Sequence, residues 1–480
     1  MPWHRKTREM SDDILSLSLV DVSAAIVAGK LSSREVTAAA VERLQNLSGD
    51  LRHIAGMDPE AALDAAKAAD AVLAKGEASG PLHGVPLAHK DMYYRTGRTS
   101  ACGSKVRRAF IPDTTAAALE RLDAAGALDI ARLNMVEFAL GVTGHNEVTD
   151  TPRNPWNRAH MTGGSSSGSG AAVASRAVFG SLGSDTGGSI RLPAACCGLV
   201  GMKPTFGRVS RYGAMPLSKS LDTLGPLTRT VADNALLLRT IAGVDRRDPT
   251  SSPRPVPDFL DGIEDGVAGT KIAVPENHFF DGIDSEVETA VRAAVSVFKK
   301  AGAEIVSVQL PPSIDATNAL TSLITVCEGG AIHQTWLQER AHEYGSQTRN
   351  RFLSGLLVPA TRYIQSLNMR SKVLRAFAEA VFTKADILLT PVMMMPVPTI
   401  EETNVADNPG FLDIITRIGH CTRPVNYLGL PGLNIPCGFT TGDLPVSFQL
   451  VGRPYDEKTL YRAGRAYERE NDWIRKKPEL

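Results

Sequence analysis

Three short motifs hold side chains that could carry out acyl transfer. Lys90 ends the apolar run GVPLAHK, Ser165 is the first serine of GGSSSGS, and Ser189 closes DTGGS. Hydrolysis of an acyl bond needs a nucleophile, a base that removes its proton, donors for the developing oxyanion, and an acid for the leaving group. Two serines, a lysine and the backbone of the glycine-rich turns supply a candidate for each role.

The turn that leads into Ser189 is suited to bind an anion. Two glycines let the backbone aim successive N–H groups at one point. The predicted oxyanion-hole donors are the N–H groups of Thr186, Gly187, Gly188 and Ser189. Asp185 and Arg191 flank this turn, and we predict that they support it as a pair. Taken alone, the same stretch also fits a tight turn with a capping serine.

Lys90 must lose its proton before it can act as a base. A lysine with an ordinary pKa of about 10.4 is protonated at pH 7. The apolar run before Lys90 predicts a buried strand, and burial lowers the pKa of a lysine. The alternative role is structural, as the ion-pair partner of Asp91. His83 and His89 precede Lys90, but no motif selects either as the base of a Ser-His-Asp triad.

The three motifs together resemble the amidase signature family of serine hydrolases, which use a Ser, cis-Ser, Lys triad. Lys90 lies 75 residues before Ser165, and Ser189 follows Ser165 after 24 more, as in that family. The resemblance implies that Ser189 is the nucleophile of an acyl-enzyme, and that Ser165 follows a cis peptide bond and relays a proton to Lys90. It also gives Ser166 a supporting role, and it implies hydrolysis of a C–N bond.

One residue departs from the family pattern. Ser167 stands where many members have glycine, and a side chain there is strained if the φ angle is positive. The triad is untouched by this change. Ser167 leaves undetermined only the shape of the pocket wall beside Ser165.

Nucleotide binding is rejected on spacing. Gly163 and Gly168 are spaced as in a P-loop, but Ser169 and Gly170 stand where Lys-Ser/Thr is required. A dinucleotide fingerprint that begins at Gly168 fails because Val173 replaces its last glycine or alanine.

The substrate is less well specified than the chemistry. The main prediction is a stand-alone amidase for small amides or anilides, extended by hypothesis to carbamates (urethanes) or esters. An adaptable, largely apolar pocket roofed by helices from 310–370 is expected. The candidate substrate contacts beside the motifs are Met135, Met161 and Thr162.

The alternative is the glutaminase-type A subunit of a tRNA-dependent amidotransferase, because TPRNPWN and GRVSRYG also resemble that branch. Such an enzyme needs partner subunits, and it needs a cation for the α-carboxylate of glutamine. The arginines available for this are Arg362, Arg370 and Arg423. Neither prediction requires a metal or an organic cofactor.

Composition agrees with a globular cytoplasmic enzyme. Basic and acidic residues number 52 each, so the net charge is zero and no nucleic acid or acidic membrane is an expected partner. Six cysteines are too few for a disulfide scaffold, and Cys196 and Cys197 are predicted to be buried thiols. No secretion signal is apparent. The protein is expected to act as a monomer or homo-oligomer.

The elements predict an α/β fold of the amidase-signature type, with a central mixed twisted β-sheet flanked by helices. We predict a capping box at Ser32 and Glu35, and a strand ALDIARLN that leads into a helix near Phe138. Further helices are predicted at 60–75, 114–125 and 285–301, and a strand at 303–311. The predicted organisation is an extension at 1–9, one domain at 10–475 with a variable helical region at about 250–380, and a tail at 476–480.

Overall fold

Two β-sheets form the framework of the protein. The computed structural model describes residues 13–404 and 410–480. The smaller sheet has the order β1-β3-β2, with β1 at Ile54–Met57, β2 at Pro86–Lys90 and β3 at Leu128–Leu133. The larger sheet contains β4 (Gly180–Asp185), β5 (Val200–Lys203), β6 (Thr223–Thr228), β7 (Lys271–Pro275), β8 (Glu304–Val308), β9 (Ile387–Pro391), β10 (Gly432–Phe439) and β11 (Pro445–Gly452).

The larger sheet is mixed. Its order is β4-β6-β5-β10-β11-β9-β7-β8. Strand β7 runs parallel to both β8 and β9, whereas the other pairs are antiparallel. Strands β4, β6, β9 and β11 are buried along their whole length, as expected of strands covered on both faces. The predicted α/β fold around a mixed sheet is confirmed.

Helices surround both sheets. In chain order they are α1 (Leu19–Val27), α2 (Ser33–Leu51), α3 (Pro59–Leu73), α4 (Ala117–Ala124), α5 (Ser167–Ala174), α6 (Arg191–Cys197), α7 (Val231–Ile241), α8 (Ser285–Lys300), α9 (Thr317–Arg340), α10 (Ser346–Leu356), α11 (Ala360–Phe382), α12 (Phe411–Gly419), α13 (Arg423–Leu428) and α14 (Glu457–Arg469). The helices predicted at 60–75, 114–125 and 285–301 correspond to α3, α4 and α8.

Local signals account for the first helices. Ser32 accepts a hydrogen bond from the N–H of Glu35, whose carboxylate accepts in return from the N–H of Ser32. The predicted capping box is therefore confirmed. Helix α1 buries Leu19, Val22 and Ile26 along one face, which is the spacing of an amphipathic helix.

The predicted helix near Phe138 is wrong. A single 3₁₀ turn occupies Glu137–Ala139, and Phe138 and Ala139 have positive φ angles of 48° and 62°. A helix cannot continue through left-handed residues. The chain instead forms an irregular loop that returns to the region of Ser189.

The region from 250 to 380 has two parts. Strands β7 and β8, with α8 between them, belong to the larger sheet. Helices α9, α10 and α11 then form the helical part. Residues of α9 and α11, among them Ile324, Val373 and Phe377, pack in a second apolar cluster, whereas Phe352 of α10 belongs to the main core. The single-domain organisation stays a prediction, and the extension at 1–9 lies outside the described residues. Within the described residues, no helix is both long and apolar enough to cross a bilayer.

Candidate active site

Three chain segments bring the predicted triad residues into one region. Lys90 is the last residue of the buried strand β2. Ser165 lies just before α5, and Ser189 lies in the turn between β4 and α6. Strand β2 belongs to the smaller sheet and β4 to the larger one, so the site forms where the two sheets meet.

Lys90 is enclosed by hydroxyl groups. Its Nζ donates to Ser165 Oγ at 2.7 Å and to Ser184 Oγ at 2.9 Å, and the residue is 1% exposed. Burial lowers the pKa of Lys90 to about 7, partly opposed by the charges of Asp222 and Asp185. A substantial fraction of Lys90 is then neutral at physiological pH, as a base requires.

The structural alternative for Lys90 does not hold. Asp91 forms its ion pair with Arg132 instead, at 2.7 Å. The rival histidine base is also absent from the site. His89 Nδ1 accepts from the N–H of Leu182 and its pKa is lowered to about 4 by burial, and no histidine lines the cavity at Ser189 among the described residues.

Ser165 follows a cis peptide bond from Gly164, as the family resemblance implies. Ser166 donates to the carbonyl of Ser189 at 2.6 Å, and so links the two serine motifs. Ser167 is the first residue of α5 and is not among the residues with positive φ. The serine that replaces the frequent glycine is therefore accommodated without backbone strain.

A buried ion pair holds the turn that carries Ser189. Arg191 Nε and Nη2 each donate to the carboxylate of Asp185 at 3.1 Å, and both side chains are fully buried. Burial raises the pKa of Asp185, but the charge and hydrogen bonds of Arg191, together with Lys203 and Asn426, more than offset this and lower it to about 2. Asn426 and Gln449, from the C-terminal part of the chain, complete the network by bonding Arg191. The predicted supporting pair is thus formed.

One of the four predicted oxyanion donors is already engaged. The N–H of Gly188 donates to Asp185 Oδ1 at 2.7 Å, because the turn wraps around that carboxylate. The N–H groups of Gly187 and Ser189 make no hydrogen bond within the described residues. Gly188 has a φ of +128°, and a Cβ there would collide with Thr422. Thr186, Gly187 and Ser189 remain the predicted donors.

Ser189 opens into a small cavity. The cavity has a volume of about 40 Å³ and is lined on one side by the loop 139–142. Helix α9 contributes Thr321, Ser322 and Thr325 to the other side. The prediction that helices from 310–370 roof the site is confirmed, but the expected largely apolar lining is wrong, since hydroxyl and guanidinium groups contribute much of the wall.

Two arginines in this wall have no acidic partner in the part of the chain that the structure describes. Arg351 on α10 and Arg423 on α13 both line the cavity. Arg351 donates to the carbonyl of Leu140 and Arg423 to that of Ile415. Neither forms an ion pair with a residue in the described ranges 13–404 and 410–480. Burial lowers the pKa of each guanidinium to about 10, and in Arg351 the charge of Arg423 adds to this effect. Both stay protonated at neutral pH.

Only one of the predicted substrate contacts lies at this cavity. Arg423 is present, whereas Arg362 is exposed and Arg370 donates to the carbonyl of Ser220. The remaining candidates are core residues that do not line the cavity: Met135, Met161 and Thr162. They flank the motifs in sequence, but proximity in sequence does not bring them to the cavity wall.

Ser184, Asp222 and Arg351 were not predicted. Ser184 holds Lys90, and Asp222 accepts from the hydroxyl of Thr186 at 2.5 Å and from the N–H groups of Leu217 and Ser218. Each of the three lies far in sequence from the site residue beside it, which is Lys90 for Ser184, Thr186 for Asp222 and Ser189 for Arg351. Ser184 alone carried a local signal, since it directly precedes the Asp185 motif.

A model of the amidase family matches residues 35–461. The chain belongs to the amidase family. It is therefore an enzyme of the amidase signature group, whose members act on C–N bonds. The predicted family is confirmed over nearly the whole chain.

Relatives within the family have several named activities. The A subunit of glutamyl-tRNA(Gln) amidotransferase from Myxococcus xanthus is 38% identical, over 97% of this chain and 100% of that protein. A solved structure from a vestigial protein complex, described as revealing the origins of an s-triazine catabolic enzyme, is 32% identical with a TM-score of 0.89, over 97% of this chain and 100% of the other. A solved structure of a bacterial aryl acylamidase is 25% identical with a TM-score of 0.86, and the match covers 96% of this chain and 97% of that one. The first of these amidase-family relatives favours the amidotransferase-type alternative over the stand-alone amidase.

Proposed function

We propose that this amidase hydrolyses a small amide that carries a carboxylate group, with Ser189 as the nucleophile. The observation that carries the proposal is the pair of guanidinium groups, Arg351 and Arg423, which lie beside Ser189 without an acidic partner among the described residues. Buried charges in proteins are normally paired. A carboxylate on the substrate is the partner that arginine binds best, through two parallel hydrogen bonds.

The proton path uses the predicted triad. Neutral Lys90 takes a proton from Ser165, which takes one from Ser189 as the latter attacks the amide carbon. The N–H groups of Gly187 and Ser189 stabilise the oxyanion. The proton then returns through Ser165 to the leaving nitrogen, which departs as ammonia or an amine. Water hydrolyses the acyl-enzyme along the same path.

The proposed path requires Ser165 and Ser189 to form a hydrogen bond when substrate binds. Lys90 and Ser165 are already joined at 2.7 Å, but no hydrogen bond joins Ser165 to Ser189 within the described residues. Catalytic hydrogen bonds commonly shorten only in the substrate complex.

Charge also argues against free glutamine as the preferred substrate. No acidic side chain lines the cavity within the described residues. The α-ammonium of glutamine would lie unpaired beside two guanidinium groups, and like charges repel strongly where water is excluded. An amide with a carboxylate and no amino group avoids this cost.

The second candidate is the glutaminase-type subunit, which the similarity to the A subunit of the amidotransferase supports. In that case the chain would act with partner subunits. Anilides, carbamates and esters stay predicted substrates of the stand-alone enzyme.

A panel of amides separates these candidates. Purified chain is assayed with succinamate, with butyramide, in which a methyl replaces the carboxylate, with glutamine, with an acyl nitroanilide and with ethyl carbamate. The proposal expects the highest kcat/KM for succinamate and no turnover by Ser189→Ala. A preference for butyramide over succinamate would contradict it. Turnover of glutamine alone, especially after addition of copurifying subunits, would favour the second candidate.

A further inference from the structure

Helix α10, which carries Arg351, begins without a capping side chain of its own. Its N-cap residue is Gly345, so the first N–H groups of the helix need partners from elsewhere. Glu147 accepts from the N–H groups of Ser346 and Gln347 at 2.6 and 3.1 Å. Glu137 accepts from the N–H of Gly345 at 3.0 Å. Two carboxylates from one loop therefore cap this helix, where the helix dipole also favours negative charge.

The buried end of this loop is firmly held. Glu137 is 2% exposed, accepts from the hydroxyl of Ser104 at 2.6 Å, and is also bonded by Thr348. Burial raises the pKa of Glu137 to about 7. The next residue, Phe138, has a φ of 48° and packs its ring 4.3 Å from that of His333. Tight packing around the loop maintains this unusual backbone.

The same loop forms the wall of the active-site cavity. Residues 139–142 line the cavity beside Ser189. Arg351 Nη1 donates to the carbonyl of Leu140 at 3.1 Å. Arg351 lies five residues beyond Ser346, about 7.5 Å along the helix. One loop thus contacts α10 both at its first turn and at the arginine.

We infer that Glu137 and Glu147 act as a carboxylate clamp that positions Arg351 at the Ser189 cavity and thereby determines the preference for an anionic amide. This inference rests on the proposed function. The two glutamates are positioning residues, since neither lines the cavity among the described residues. They act through the helix end that they hold.

Two variants test the clamp against one control. Glu147→Ala removes an exposed carboxylate, and Glu137→Gln changes the buried one with little change in shape. Glu35→Ala removes an exposed capping carboxylate of α2, which is not part of the cavity. The readout is the ratio of kcat/KM for succinamate to kcat/KM for butyramide. A general loss of stability lowers both values, whereas a displaced Arg351 lowers the succinamate value alone.

The clamp variants are expected to lower this ratio about fivefold, mainly through the KM for succinamate, and Glu35→Ala is expected to leave it unchanged. Amide hydrogen exchange of residues 346–351 should be faster in both clamp variants than in the wild type. If wild type prefers succinamate and both variants keep the full preference, the clamp is overturned while the proposed function stands. Unchanged exchange in both variants overturns the clamp as well. A wild type without any preference for succinamate overturns the proposed function and this inference together.

Discussion

The proposed reacting groups and the proposed substrate-binding groups come from two very different regions of the molecule. Lys90, Ser165 and Ser189 lie in sheet edges and glycine-rich turns within about a hundred residues of chain. Arg351 lies on α10, in the helical part far downstream, and Arg423 on α13. The first region resembles the family at the level of short motifs, whereas the second contributes single side chains from helices. The proposed chemistry and the proposed substrate binding therefore depend on different parts of the chain.

Ser189→Ala gives the largest expected effect, because it removes the proposed nucleophile of the first region. Turnover of every substrate should fall by at least about a thousandfold. Circular dichroism and the thermal midpoint should match those of the wild type, since Ser189 lies in a turn held by the Asp185 and Arg191 pair. If the Ser189→Ala enzyme remained active, Ser189 would not be the nucleophile.

Lys90→Met should lower kcat/KM by at least about a hundredfold for anionic and neutral amides alike. In the wild type, kcat/KM should rise with pH through about 7, because the pKa of Lys90 is lowered to about 7 and the neutral amine is the base. Below that pH the lysine is protonated and the rate falls. A wild-type pH profile that is flat between pH 6 and 8 would argue against this assignment.

Arg351→Met and Arg423→Met test the second region. Each should lower kcat/KM for succinamate by about ten- to a hundredfold, the usual value of a hydrogen bond to a charged group. Butyramide should be hydrolysed at nearly the wild-type rate, because the triad is untouched. As a matched control, Arg362→Met changes an exposed arginine outside the cavity and should affect neither substrate. Equal losses of kcat/KM on both substrates would mean that these arginines do not act through the carboxylate of the substrate.

Ser184→Ala should give the smallest effect. It removes one of the two hydroxyl partners of Lys90, and the expected loss in kcat/KM is about two- to tenfold. The hydroxyl oxygen accepts from Lys90 and so favours its charged form, and its removal should move the midpoint of the pH profile downward. An upward shift would show that Ser184 does not stabilise the protonated lysine.

Features that depend on residues close together in sequence could be predicted, whereas features that depend on distant residues could not. The capping box at Ser32 and Glu35 depends on residues three apart, and it was predicted correctly. The helix expected near Phe138 was wrong, because tertiary packing holds that segment in a left-handed turn. Gly188 was predicted as an oxyanion donor, yet the carboxylate of Asp185 occupies its N–H. Sequence spacing alone does not reveal such competition between acceptors.

The amino-acid sequence by itself determined the family, the mixed α/β fold and the candidate reacting residues, because these depend on short motifs whose local backbone is set by glycine, serine and buried apolar runs. Only the tertiary structure decided that Ser184 holds Lys90, that Asp91 pairs elsewhere, and that Arg351 joins Arg423 beside Ser189. These residues lie between 41 and 234 positions apart in sequence. No local pattern encodes them, since the packing of the sheets and helices brings their side chains together.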